Sequence, residues 1–187
     1  MRIVITGLIG GAVFFFWGFV AHMLLPIGEM GMKSAANEDS VLAAARDGLP
    51  GEGVYLLPGL APEKMSDAEA VKAYGEKAKA NPFLVIIYQP QGKDMTDMSR
   101  QLATQWVSDT LSAFVVAFVL ALGAFGFGKR VLVATAVGLF SWLTISVPYW
   151  NWYRFPLDFT LGNLLEQVIG WLLAGAAMAW WLGRKGG

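Results

Sequence analysis

The sequence contains no cysteine. That absence excludes a disulfide framework, a thiol nucleophile and any cysteine-based metal centre. There is a single histidine, His22, so a bis-histidine haem within the chain is excluded as well. Charge is scarce: 15% of residues are Asp, Glu, Lys or Arg, where a soluble domain carries about 25%. Lysine plus arginine balance aspartate plus glutamate at 14 each. No basic excess is therefore available to hold a nucleic acid. No GxxxxGK[ST] phosphate loop, dinucleotide glycine fingerprint, HExxH or GxSxG is present, which removes the commonest enzyme signatures. GLIGGAVFFF is glycine-rich, but it lies inside an apolar run and follows no strand. The sequence thus predicts a chain that is not an enzyme and carries no cofactor.

What the chain has in abundance is apolar length. Hydrophobic residues make up 56% and aromatics 13% of 187 residues. A membrane-crossing helix needs roughly 20 mostly apolar residues, and four segments meet that need: 3–25, 107–127, 131–147 and 161–182. FVAHMLLPIG is a poor cleavage site, so the first span reads as a retained helix. Arg2 precedes span one, Lys129 and Arg130 fill the expected turn between spans two and three, and Arg184 and Lys185 follow span four. Four spans put these basic clusters on one side, which the positive-inside rule assigns to the cytoplasm. Both termini are then cytoplasmic, and the segment 26–106 lies outside. Residues 148–160, with Tyr149, Trp150, Trp152, Tyr153 and Phe155, read as an aromatic loop on that outer side. A multi-pass protein of a bacterial inner membrane with a periplasmic insert is the expected setting, and the lipid bilayer is its first partner.

Segment 26–106 holds eleven acidic and eight basic residues, punctuated by proline and glycine. NEDSVLAAARDGL reads as a short helix with an acidic first turn and a glycine stop. GVYLLPG reads as a brief strand. SDAEAVKAYGEKAKANP has Ser66 and Glu69 in a capping-box arrangement and stops before Pro82. FLVIIYQP, rich in β-branched and aromatic residues between two prolines, is the strongest strand of the chain. DMTDMSRQLATQWVSDT is helical and runs on into span two. The fold class is therefore membrane α-helical, with four transmembrane helices and a small extracytoplasmic α/β insert between the first two. Two strands alone make a marginal sheet, so the insert is expected to lean on the membrane helices, a second copy or a partner's strand.

Polar residues inside the spans are the informative exceptions. Asn163, Glu166, Gln167 and Gly170 fall at i, i+3, i+4 and i+7, one helical face continued by Ala174 and Ala177. A carboxylate within a span is costly unless it is paired or faces a polar cavity. His22, Asp109 and Arg154 lie at matching depth in the predicted topology, so these six polar residues form a candidate cluster near the outer boundary. As a structural unit it fastens helices; as a functional one it is a proton-responsive site or polar pocket, because histidine titrates near neutral pH. Gly7 and Gly11 form a small-xxx-small pair for close helix approach. Met30-Gly-Met32 and Met95-x-x-Met98 have spacings that would let thioethers share Cu(I). With no second histidine, core filling is the favoured role for these methionines.

The functional expectation is a non-catalytic accessory, assembly or scaffolding subunit of a larger membrane complex, partnered by a membrane protein or by itself. The alternatives are a binding or sensing protein with its pocket at Glu166, and a small proton- or cation-coupled transporter subunit.

Overall fold

Four long helices dominate the computed structural model, which describes residues 1–184. They are α1 (Arg2–Phe19), continued by a π-helical turn over Val20–Leu24, then α4 (Ser99–Ala121), α5 (Phe127–Tyr153) and α6 (Leu157–Gly183). Each is 23 to 27 residues long and apolar enough to cross a membrane. At about 1.5 Å per residue, the shortest exceeds the ~30 Å of bilayer hydrocarbon. Between the first two lie α2 (Glu38–Gly48), β1 (Gly53–Leu57), α3 (Ala68–Ala80) and β2 (Leu84–Tyr88). The chain divides into two compact units, Lys33–Met95 and the remainder.

In the helical unit the spatial order is α4, α1, α6, α5, with close packing between successive members. Glycines set these contacts. A Cβ on Gly11 would stand 2.7 Å from the Cα of Thr110, and one on Gly138 would stand 2.6 Å from the carbonyl oxygen of Gln167. Gly7 meets the ring of Phe114, Gly10 the thioether of Met178, and Gly170 the rings of Phe14 and Trp17. The Gly7/Gly11 pair therefore packs α1 on α4, inside the bundle. Phe14, Ala113, Val116, Ala117, Leu120, Ala134, Trp171, Ala174 and Met178 form the core. Phe14 and Trp171 stack with ring centroids 4.7 Å apart. Because lipid tails are as apolar as leucine, tight packing rather than removal from water holds such helices together.

Several sequence expectations need correction. Residues 148–160 are not a loop: α5 runs through Pro148 to Tyr153, and only Arg154, Phe155 and Pro156 separate it from α6. Arg154 takes the left-handed conformation (φ 55°) usual for glycine at a helix end, and its amide caps the carbonyl of Tyr149. Pro156 follows as a stop signal. The third span accordingly exceeds 131–147 at both ends. Lys129 and Arg130 lie in the first turn of α5, and the α4–α5 turn is made by residues 122–126, so span two ends at Ala121 instead of 127. Arg2 donates to the carbonyl of Arg184, drawing the start of α1 to the end of α6. Lys185 lies outside the described residues.

The Lys33–Met95 unit is a two-stranded antiparallel sheet with two helices. Val54 pairs with Ile87, and Leu56 with Val85, in its register. Asn37 caps α2 by accepting the amide of Ser40. Asp67, not Ser66, caps α3, accepting from the amides of Glu69 and Ala70; a charged acceptor one residue nearer these amides takes the place of the predicted box. At the entry to α4, Asp97 accepts both the amide and the hydroxyl of Ser99. Those two bonds hold its carboxyl below the usual carboxylate range.

Candidate functional site at the α1–α6 boundary

His22 sits in the π-helical turn that ends the first span. The turn is closed by an i to i+5 bond from the Leu25 amide to the Val20 carbonyl, 2.9 Å. Such turns are rare and recur at functional sites. The extra residue per turn re-aims the side chains that follow, and His22 Nε2 comes to lie 3.3 Å from Glu166 Oε1 of α6. With its proton on Nε2 the imidazole donates to the carboxylate. Gly28 lies against the other side of the ring, where a Cβ would be in collision with Nδ1. The amide of Gly28 also bonds the carbonyl of Ala21, 3.1 Å, which pins this return segment over the histidine.

Glu166 is held from a second direction, since Trp17 Nε1 donates to its backbone carbonyl at 3.0 Å. Its side chain is 21% exposed and that of His22 49%, so the pair stands at the edge of the bundle with one side open. Asp109 of α4 is buried and accepts from Gln105 Nε2 at 2.7 Å. It lies within electrostatic range of Glu166. Beside it the hydroxyl of Thr110 is buried without a hydrogen-bond partner among the described residues. The His22–Glu166 contact thus joins the end of the first helix to α6, while Asp109 is engaged within its own helix by Gln105.

The other predicted members go elsewhere. Asn163 Nδ2 donates to the carbonyl of Phe159 in its own helix. Gln167 accepts from Ser141 of α5 at 3.2 Å. Arg154 occupies the α5–α6 junction. The polar stripe of α6 is split because α6 lies between two neighbours. Glu166 and Gly170 belong to the α1 side and Gln167 and Gly175 to the α5 side, while Trp171 touches both, Phe14 of α1 and Gly138 of α5. The methionines are separated in role too: Met30 packs on Gly162 of α6, while Met32, Met95 and Met98 are exposed. Among the described residues no group of three His, Cys, Asp or Glu side chains is placed to hold a metal ion.

Sequence reasoning missed Trp17, Gln105 and Gly28 as parts of this site. Only the spacing of Gln105 and Asp109, i and i+4 on one helix, was available as a signal.

Glu166→Gln should leave the fold intact. It keeps the backbone bond from Trp17 and loses only the ionic half of a partly exposed pair, worth about 0–1 kcal/mol. Thermal unfolding in mild detergent checks this; loss of folded protein would show that the pair is required for assembly of the bundle. No family model matches this chain, and neither does any curated protein or solved structure.

Proposed function

We propose that the chain is a non-catalytic accessory or assembly subunit of a larger membrane complex, held in a bacterial inner membrane with the Lys33–Met95 unit in the periplasm. The observation that carries this reading is the incompleteness of that unit. Within it only Pro58 is buried, and neither α2 nor α3 has a buried residue. A ~60-residue domain that folds alone buries about 60% of its chain surface. Here one face of the sheet leaves Val54 66%, Leu56 42% and Ile87 74% exposed. Both strands also have an unpaired edge, to which a partner's strand can add. Extraction in mild detergent should recover the protein with other chains at fixed stoichiometry, and a monodisperse single-chain particle would count decisively against the proposal.

The sided placement of Arg2, Lys129, Arg130 and Arg184 supports the orientation. Because no native cysteine gives background labelling, Val71→Cys in α3 should react with a membrane-impermeant maleimide in intact spheroplasts. Gly128→Cys, at the basic end of α5, should react only after lysis. The reverse pattern would invert the topology. A second reading, a proton-responsive or proton-coupled subunit, draws on the His22–Glu166 contact in the π-helical turn. It requires Glu166→Gln to lose activity while remaining folded.

A further inference from the structure

We infer that the Lys33–Met95 unit binds a long-chain fatty acid, or the equivalent single acyl chain with an anionic head, between α2 and the sheet. A cavity of about 960 Å³ lies there, lined by Val41 and Ala45 of α2, by Leu49 just after it, and by Leu57, Leu84 and Ile86 of the strands. Val41 and Ala45 stand at i and i+4 on one face of α2, and with Leu42, Ala44 and Leu49 they make this wall chiefly aliphatic. Cavities that take small ligands run from ~300 to ~1,000 Å³ and are mostly apolar with a few placed polar groups. The lining suits a chain of methylenes in its chemistry, and the groove is open along one side, where Val41 is 57% and Leu84 48% exposed.

Charge selects the head group. Among the described residues Arg46 is the charged member of the lining, and no Asp or Glu joins it there. Gln89, also at the cavity, has its amide engaged by Glu52 at 2.8 Å. The Arg46 side chain forms no hydrogen bond or ion pair among the described residues, so its guanidinium is available to pair with a carboxylate. Lipid is the nearest source of such a molecule, since the unit runs directly into segments apolar enough to span a membrane. Only residues 96–98 separate its last residue from α4. This inference rests on reading the chain as a membrane protein. It does not rest on the presence of a protein partner.

The test uses the purified full-length protein in mild detergent and a diazirine-bearing long-chain fatty acid, with photo-crosslinks mapped by mass spectrometry. Labels should fall within residues 41–49 and 84–90. They should be competed by the unlabelled acid better than by the alcohol of equal chain length. Ala45→Trp fills the cavity and should reduce labelling there more than about tenfold. Arg46→Gln should reduce it about fivefold, near the limit for one exposed charge contact, and should abolish the preference for acid over alcohol. Ala43→Trp lies on α2 outside the lining and should label as wild type. Labels confined to the four long helices overturn the inference, as does equal labelling of wild type and Ala45→Trp or an equal loss in Ala43→Trp. Absence of a copurifying partner would sink the accessory reading and leave every one of these labels unchanged.

Discussion

Gly11→Ala and Gly138→Ala should each destabilise the helical bundle by about 1–3 kcal/mol, although alanine is the better helix former. Propensity alone favours the substitution by roughly 1 kcal/mol. Packing opposes it more strongly. The new methyl on Gly11 would meet the Cα of Thr110 at 2.7 Å, and that on Gly138 the carbonyl oxygen of Gln167 at 2.6 Å. Both obstacles are backbone, so relief requires moving a whole helix. Gly7 and Gly10 differ in this respect, for their nearest atoms belong to the ring of Phe114 and the thioether of Met178. Side chains yield more readily than backbone, so alanine should cost less at Gly7, beside the partly exposed Phe114, than at Gly10, where Met178 is fully buried. Gly18 has nothing within 4 Å of its would-be Cβ, and Gly18→Ala should be neutral or stabilising by up to ~1 kcal/mol. The Gly11 contact joins α1 to α4 and the Gly138 contact joins α5 to α6. These sites share no partner, so the double variant should lose about the sum of the two. Thermal unfolding in one mild detergent reads the series. An unfolding temperature for Gly11→Ala at or above wild type would remove close helix approach as the basis of the bundle.

Ile87→Lys should weaken capture of a partner by about 30-fold or more while leaving the protein folded. Ile87 is 74% exposed and stands opposite Val54 in the sheet register. A side chain so exposed contributes little to its own fold, and surface changes of this kind usually move stability by no more than about 0.5 kcal/mol. If a partner covers it, the same change buries an unpaired ammonium at the centre of an apolar contact. Central interface residues commonly carry 2 kcal/mol or more, which is about 30-fold in affinity. Lys72→Ala, in α3, is a suitable control for a general change of surface charge. Quantification of copurifying chains from wild type and both variants reads the result. Equal recovery with Ile87→Lys would remove this face of the sheet from the interface and leave the free strand edges as the alternative.

Much of the architecture is legible in one dimension because it depends on local properties. A run of about 20 apolar residues is long enough to span a bilayer as a helix, the element that satisfies every amide within the segment. GVYLL and LVIIY pair as strands because β-branched and aromatic side chains fit the pleated surface. Asn37 and the acidic residues after it start α2 by satisfying its first amides and opposing its dipole. Aromatic density and Pro148 give residues 148–160 the look of an interfacial loop. The helix nevertheless continues through Pro148 to Tyr153, where the left-handed Arg154 caps it.

By itself the sequence determined four long apolar helices, two strands and two short helices between the first pair of them, and basic residues beside the helix ends; it put the α3 cap on Ser66, where the structure has Asp67. Only the tertiary structure decided the order α4, α1, α6, α5, the division of the α6 polar stripe between two neighbours, and the meeting of His22 with Glu166 through a π-helical turn. The reason is physical. Apolar length and strand propensity act within a segment, but inside a bilayer helices choose neighbours by how closely their backbones can approach. That choice depends on glycines and their opposing surfaces more than 20 residues apart in the chain, as Gly138 and Gln167 are, and no local pattern encodes which surface will be met.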